Sequence, residues 1–189
     1  MMPTAGTIST TTTPATTTMN EPNAKLVSVN FQPIGVIRSS HRLAEQTPVQ
    51  PVYARGCAGR AEILPEYREG LRDLDGFSHI FLLYHLHRAG PLKLTVQPFT
   101  ADRLCGVFAT RHPQRPNAIG LSVVRLARIE EGVLHLEDLD VLDGTPLLDI
   151  KPFIPRFDCV EGARGGWTEA VNETNARQRG QRGFSPQTA

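Results

Sequence analysis

Apolar and polar residues alternate over much of the chain, a period of two that places one set of side chains on each face of a β-strand. In residues 25–40, Leu, Val, Phe and Ile recur at nearly every second position before the sequence turns polar. We predict one or two strands there, followed by a loop. Residues 59–64 show a shorter strand pattern, which Pro65 is expected to end.

Two segments depart from this alternation. Residues 65–77 begin with proline, carry Tyr67, Leu71 and Leu74 at spacings of four and three, and end near Gly76, which predicts a short amphipathic helix. Residues 77–87 are almost wholly apolar, as is typical of a central strand covered on both faces. Length alone would also permit a buried helix in this second segment.

A β-hairpin is the clearest local prediction. The segments 122–129 and 133–142 each alternate, and a short polar connection ending in Gly132 joins them. With further patterns at 92–99 and 103–110, the chain should hold six to eight strands and one clear helix. Strands do not alternate with long helices, so we predict a mainly β fold, an antiparallel barrel or sandwich.

Composition divides the chain into three parts. The Thr-rich residues 1–24 have almost no large apolar side chains and are expected to be disordered. Residues 25–160 are assigned to the β domain, and residues 161–189 to a mobile basic tail rich in Gly and Arg. The net charge of +1 is no global signature of nucleic-acid binding, although the tail could touch phosphate or simply be solvated.

No segment indicates export or membrane insertion. The N-terminal residues lack an apolar signal core, and no run approaches the ~20 apolar residues that span a bilayer. We therefore expect a soluble cytoplasmic protein. Cys57, Cys105 and Cys159 are odd in number and lack metal-ligand spacing, so reduced thiols and no metal site are expected.

Three histidines share one parity on the apolar segment 77–87. His79, His85 and His87 would face the same side of a strand, where they could bind a metal or move a proton. Hydrogen-bonded core histidines are the more ordinary interpretation for the first two. His87 is better placed for function, because strand ends open onto loops.

The loop 109–122 combines cations with rigid backbone. Arg111, Arg115 and Asn117 lie among prolines, and a guanidinium held in place loses less entropy when it binds an anion. A binding loop and a plain surface loop are about equally consistent with this composition. No glycine-rich nucleotide motif of the Rossmann or P-loop kind accompanies it.

A second unusual stretch follows the hairpin. Asp143 and Gly144 predict a tight turn that could present backbone N–H groups and a carboxylate to a ligand, although such a turn can be purely structural. Lys151 is a charge within an apolar strand and needs a partner. Asp149 or Asp143 could supply it.

Four segments, GVIRSS, FSHIFLLYHLH, GVFATRHPQRPNAIGLS and DGTPLLDIKPFIP, resemble the TsaA-like family, which includes the TrmO tRNA methyltransferases. They occur in the family's order over about residues 31–157. The resemblance implies a small antiparallel β-barrel with one or two short helices that binds S-adenosylmethionine, as a homodimer. It also implies methylation of N6 of threonylcarbamoyladenosine, at position 37 beside the anticodon of tRNA.

The same resemblance implies a set of site residues. The cofactor would contact Val49, Gln50, Pro51, His87, Arg88, Arg111, Leu121, Leu142, Asp143, Gly144 and Thr145. Arg111 would face the methionine carboxylate or a tRNA phosphate, and Leu121 would cover the adenine. Arg115 and Asn117 would support the loop or contact tRNA.

The acceptor nitrogen is urea-like and a poor nucleophile, so a base should assist the transfer. Asp143 and His87 are the candidates. Longer family members carry an additional C-terminal domain, so the cofactor is better predicted than the substrate. A module that senses S-adenosylmethionine without turnover, a methyltransferase for another acceptor, and a plain interaction barrel are the alternatives.

Overall fold

Eight strands and two α-helices form the part of the chain described by the computed structural model, residues 28–183. The strands are β1 (Gly35–Ser39), β2 (Gly59–Ile63), β3 (His79–His85), β4 (Thr95–Val96), β5 (Cys105–Gly106), β6 (Ile119–Glu130), β7 (Val133–Glu137) and β8 (Thr145–Pro152). The helices are α1 (Pro155–Asp158) and α2 (Glu173–Gln181). Short 3₁₀ helices lie at Ala44–Gln46, Pro51–Tyr53, Pro65–Leu71, Leu74–Gly76, Val107–Ala109 and Gly166–Ala170.

The chain divides into two units, Met1–Asn30 and Phe31–Ala189. The Thr-rich segment 1–24 lies outside the described residues, and all the strands and helices given above belong to the second unit. Within residues 28–183, no helix combines the length and apolar character needed to cross a membrane.

Six strands of the second unit close into an antiparallel barrel in the order β1-β2-β7-β6-β3-β8. Closure leaves none of these strands with an unpaired edge. The remaining two strands, β4 and β5, pair as a separate ribbon. The predicted mainly β fold and the barrel architecture are therefore confirmed.

Strand alternation fills the barrel. On β3, Ile80 and Leu82 are fully buried, whereas the alternating residues His79, Phe81 and Leu83 are partly exposed. Val124 of β6 and Leu134 of β7 are fully buried from the neighbouring strands. The prediction of a strand at 77–87 is confirmed. Its odd-numbered side, however, is not fully covered, because those side chains point out of the barrel.

The predicted hairpin is confirmed in β6 and β7. Glu131 and Gly132 connect the two strands with φ angles of 51° and 84°. Two successive positive φ values are the geometry that matches the twist of paired strands, and glycine adopts it without steric cost.

Two predicted segments differ in detail from the structure. Of the one or two strands expected in residues 25–40, one is present among the described residues 28–40, namely β1, and residues 28–34 form no strand. The expected helix at 65–77 is two 3₁₀ helices, which Asp73 separates with a φ of 65°. A left-handed residue cannot continue a right-handed helix, so the amphipathic spacing is interrupted.

The ion pair predicted for Lys151 is confirmed. Lys151 Nζ lies 2.9 Å from Asp149 Oδ2, and Asp149 is one of the two partners expected. The thiols of all three cysteines are free, with two of them buried and Cys159 exposed. The interpretation of His79 and His85 as core histidines was wrong: His79 lies on the outward side of β3 in contact with Ser78 and the Phe153 ring, and His85 is exposed.

Candidate active site

A cavity of about 1200 Å³ opens at one end of the barrel. Four segments form much of its lining: the end of β3, the loop before β6, the connection between β7 and β8, and the loop around residues 44–53. Part of the segment 167–182 also lines it. Strand ends and loops supply most of this surface, which is where a barrel can display polar groups without disturbing its core.

Tyr84 and Asp140 line the cavity, and Ser122 lies between them in a polar chain; we call these three residues the cavity floor. Ser122 Oγ donates to Asp140 Oδ1 at 2.6 Å, and Tyr84 Oη lies 3.0 Å from Ser122 Oγ. When Asp140 is ionised, the single hydroxyl hydrogen of Ser122 is donated to it, and the Tyr84 hydroxyl then donates to Ser122. All three residues are buried.

Burial changes the acid–base behaviour of this chain. Loss of hydration raises the pKa of Asp140 to about 7, although the Ser122 hydrogen bond and the Arg111 charge oppose the shift. Burial also raises the pKa of Tyr84, so its hydroxyl stays neutral at physiological pH. The floor therefore holds a carboxyl group whose two protonation states are both accessible near neutrality.

The loop at 109–122 forms one wall of the cavity. Arg111 Nη1 donates to Gln50 Oε1 at 2.5 Å, so two of the predicted cofactor residues meet across a gap of 61 positions in sequence. Arg111 is exposed, and it lines the cavity with Gln50, Val49 and Leu121. Pro51 instead begins the 3₁₀ helix that follows Gln50 and is not among the lining residues.

The other two polar residues of this loop have different surroundings. Arg115 Nη1 donates to the carbonyl oxygens of Thr110 and Val107 at 2.8 and 3.4 Å. Asn117 is exposed outside the cavity lining. Of the two roles predicted for Arg115, these bonds favour support of the loop.

The turn after the hairpin contributes its ends to the cavity. Leu142 and Thr145 line it, and Gly144 adopts a φ of 77°, as the predicted turn requires. Asp143 is held elsewhere: its carboxylate pairs with Arg42 and accepts the N–H of Ser39 at 3.1 Å. Neither Asp143 nor Gly144 lines the cavity within the described part of the chain.

His87 and Arg88 lie just beyond the end of β3, and both line the cavity. Partial burial, then the neighbouring Arg88 charge, lower the pKa of His87. The imidazole is thus neutral at pH 7 and can accept a proton.

An aromatic and cationic stack borders the same space. The rings of Phe99 and His112 are stacked with centroids 5.2 Å apart, and the Arg182 guanidinium lies 4.8 Å from the Phe99 centroid. Burial and the charges of Lys93 and Arg115 lower the pKa of His112. A neutral His112 avoids repulsion from Arg182.

Much of the segment expected to be a mobile basic tail is regular and packed. The N–H of Val49 donates to the carbonyl of Gly180 at 2.9 Å, and Gly180 packs closely against the ring of Tyr53. Trp167 Nε1 donates to the carbonyl of Ala109 at 2.8 Å. We call residues 165–182 the C-terminal wall, since several of them line the cavity.

Comparison with known proteins identifies the family. Residues 36–159, about two thirds of the chain, match the model of the tRNA-methyltransferase O N-terminal domain. The chain belongs to this family. The family recognised from the four sequence segments is thereby confirmed.

Relatives of the tRNA-methyltransferase O family agree with this assignment. A Pyrococcus abyssi protein named "Probable S-adenosyl-L-methionine-binding protein" is 49% identical over 139 residues, covering 74% of this chain and 76% of its own length. The human tRNA (adenine(37)-N6)-methyltransferase is 40% identical over 134 residues, 67% of this chain and 30% of the human protein. The crystal structure of TrmO from Pseudomonas aeruginosa superposes with a TM-score of 0.66 at 42% identity, over 79% of this chain and 65% of that one.

The chain thus spans less than two thirds of the Pseudomonas protein and under a third of the human one. The matched residues 36–159 contain the cavity floor and the loop with Arg111, whereas the C-terminal wall lies outside the match. The family match therefore does not account for the C-terminal wall, whose packing is described by its contacts with Val49, Tyr53 and Ala109.

Sequence reasoning missed the cavity floor. Asp140 lies in an acid-rich stretch, LEDLDVLD, where composition alone does not single out one carboxylate. A signal was nevertheless present, because Asp140 is the acidic residue of this stretch whose two immediate neighbours, Leu139 and Val141, are both apolar. A charged residue enclosed by apolar ones needs a partner or a function.

Proposed function

We propose that the cavity binds S-adenosylmethionine and that the chain transfers its methyl group to N6 of threonylcarbamoyladenosine at position 37 of tRNA. The observation that carries the proposal is the meeting of Arg111, Gln50 and Leu121 around one cavity at the barrel end. Membership of the tRNA-methyltransferase O family supports it, as do the names of the relatives.

The residues present fit this cofactor. Its methionine end carries a carboxylate, for which the Arg111 guanidinium, oriented by Gln50, is a suitable partner. Its adenosine end needs apolar surface, and Leu121 exposes 42% of its area on a strand that lines the cavity. At about 1200 Å³, the cavity exceeds the ~300–1000 Å³ usual for one small ligand, which leaves room for part of an acceptor.

When bound, the cofactor would supply a methyl group on a sulfonium, and the chain's residues would hold and align the partners. Alignment of donor and acceptor provides much of the acceleration in such displacements. His87 remains a candidate proton acceptor, because it is neutral and lines the cavity. Asp143 is less suited, because Arg42 and the Ser39 N–H already occupy its carboxylate.

The tRNA substrate would meet a cationic rim. Arg88 and Arg111 are exposed at the cavity, so they could contact phosphates, with the salt dependence that such contacts bring. Arg115 and Asn117 stay candidates for tRNA contact, although the internal bonds of Arg115 support a structural role. We further propose, as the family resemblance implies, a cytoplasmic enzyme acting as a homodimer.

The first test is binding and turnover of the full chain. S-adenosylmethionine, but not NAD or ATP, is expected to raise the thermal unfolding midpoint, and labelled methyl groups should enter total tRNA from a strain lacking its own activity. Binding without methyl transfer to tRNA would favour the sensor or another acceptor. Absence of binding would refute the proposed function.

Arg111→Ala should weaken cofactor binding by tenfold or more, because a hydrogen bond to a charged group contributes about 1.5–3 kcal/mol and 1.4 kcal/mol is a factor of ten. Calorimetric titration of the purified variant measures this effect. Arg128→Ala is the matched control, since Arg128 is an exposed hairpin arginine outside the cavity lining. Equal affinities for the two variants would remove Arg111 from the site.

Gly180→Ala tests the C-terminal wall. A Cβ at Gly180 would lie 2.3 Å from the ring of Tyr53, so either this ring or α2 must shift, which disturbs the contact between α2 and the loop that carries Gln50. Cofactor affinity should fall several-fold, although alanine favours a helix over glycine by about 0.5–1 kcal/mol. Gln178→Ala, on the exposed side of the same helix, should bind like the unmodified chain. An unchanged affinity in Gly180→Ala would show that the wall does not shape the site.

A further inference from the structure

Asp140 is a carboxylate enclosed at the border of the candidate active site. It lies between β7 and β8, is 7% exposed and lines the cavity. Its hydrogen-bond partner is Ser122, at 2.6 Å, and its own backbone N–H also stabilises the charged form. The carboxyl group thus has a fixed orientation and contact with the space where a ligand would bind.

The charges around Asp140 do not neutralise it. Among the residues that the structure describes, no Lys or Arg lies within ion-pair distance of its carboxylate. The titratable and charged groups around it are Tyr84 on β3, Arg111 on the loop before β6, and, before β2, Cys57 with His41, whose ring bonds the Cys57 thiol and the Leu139 carbonyl. The charge of Arg111 favours the carboxylate.

Such an arrangement costs stability. A buried ionised carboxylate loses its hydration. Without a Lys or Arg partner, hydrogen bonds offset only part of this loss. Residues kept in such surroundings cluster at functional sites, where the altered protonation is used. Two strands, β3 and β6, help to hold the Asp140 carboxyl group, through Tyr84 and Ser122.

We propose that Asp140 is the general base of the methyl transfer and accepts the proton from the acceptor nitrogen. This inference rests on the proposed function. As the nitrogen bonds to the methyl carbon, the carbon–sulfur bond breaks and its electron pair stays on sulfur, which becomes a neutral thioether. The N–H proton passes to the Asp140 carboxylate, which later releases it to water.

The protonation state of Asp140 suits this role. A general base works best when its pKa lies near the working pH, and burial raises the pKa of Asp140 to about 7. Ser122 keeps one carboxylate oxygen oriented by a hydrogen bond, leaving lone pairs on the other. Asp143, three residues later, lacks these conditions because Arg42 pairs with it.

Asp140→Asn removes the base and keeps an acceptor for the Ser122 hydroxyl. With tRNA and S-adenosylmethionine saturating, kcat should fall by about 10²–10⁴-fold, the usual contribution of a general base. In the unmodified enzyme, kcat should rise with pH through about 7, as the carboxyl ionises. This rise should be absent from the residual activity of Asp140→Asn.

The matched control is Asp138→Asn. Asp138 precedes Asp140 by two positions, accepts the Gly56 N–H, and lies outside the cavity lining. Its φ of 60° is tolerated by asparagine, so the substitution should leave kcat and its pH profile unchanged. Asp143→Asn, compared alongside, decides between the two carboxylates as the base.

Two readouts do not depend on turnover. Calorimetric affinity for S-adenosylmethionine should change less than threefold in Asp140→Asn. The pKa of Asp140 is higher in the folded chain than in the unfolded one, so this group stabilises the fold fully at low pH and loses that contribution as pH rises through about 7. The difference in unfolding midpoint, unmodified chain minus Asp140→Asn, should therefore decrease from pH 5 to pH 8.

Each failure has a distinct signature. If the unmodified chain binds no S-adenosylmethionine or methylates no tRNA, the proposed function is wrong, and this inference falls with it. If it does both, an Asp140→Asn variant with unchanged kcat and pH profile overturns the inference alone. A loss confined to cofactor affinity would also overturn it, by making Asp140 a binding residue.

Discussion

Leu82→Ala is expected to lower the free energy of unfolding by about 2–5 kcal/mol, the range for a buried leucine truncated to alanine. Leu82 is fully buried at the middle of β3, the strand that pairs with β6 on one side and β8 on the other. Removing its side chain leaves a cavity enclosed by barrel strands, which cannot collapse without breaking ladder hydrogen bonds. Urea unfolding at constant pH measures the change.

Leu104→Ala is the matched control for this prediction. The chemical change is identical, but Leu104 is 70% exposed in the segment between β4 and β5. Surface substitutions usually alter stability by less than about 0.5 kcal/mol. Comparable losses in the two variants would mean that the interior of the barrel is not the main source of stability.

Local patterns predicted the strands well because a barrel strand buries one face and exposes the other. The alternation in β6 and β7, with Gly132 at the turn, specified a hairpin whose residues are neighbours in sequence. The order of strands around the barrel was not predictable in this way. The pairing of β3 with both β6 and β8 depends on contacts between distant segments.

Helices were predicted less well, for a physical reason. The apolar spacing of residues 65–77 is compatible with an α-helix, but spacing does not reveal that Asp73 adopts a left-handed conformation. Ala118 is a second example, with a φ of 43° in the loop before β6.

The residues of the candidate site were likewise predicted only in part. Resemblance to a family indicated Gln50 and Arg111, and the structure brings these two side chains into contact. The Tyr84–Ser122–Asp140 chain was not predicted, since its members are 38 and 18 positions apart and belong to different elements. Composition also predicted a mobile tail where the structure has α2. A basic, glycine-containing sequence does not reveal that Gly180 of this helix packs against Tyr53.

Gly120→Ala should damage both the barrel and the site. Gly120 pairs with Tyr84 across β6 and β3, and a Cβ there would lie 2.2 Å from the Tyr84 ring. The ring must move, which costs about 1–3 kcal/mol in a well-packed core. Since the Tyr84 hydroxyl contacts Ser122 at the cavity floor, the displacement should also disturb the Asp140 carboxyl group.

Two measurements separate these effects. The free energy of unfolding should decrease in Gly120→Ala, and at temperatures where the variant is folded, S-adenosylmethionine affinity and methyl transfer to tRNA should both be strongly reduced. Gly106→Ala is the control, because a Cβ at Gly106 meets no atom within 4 Å. If Gly120→Ala matched Gly106→Ala in stability and activity, close packing of Tyr84 would not be needed for the site. If it lost stability alone, the floor would tolerate a displaced Tyr84, and Ser122 alone would suffice to orient Asp140.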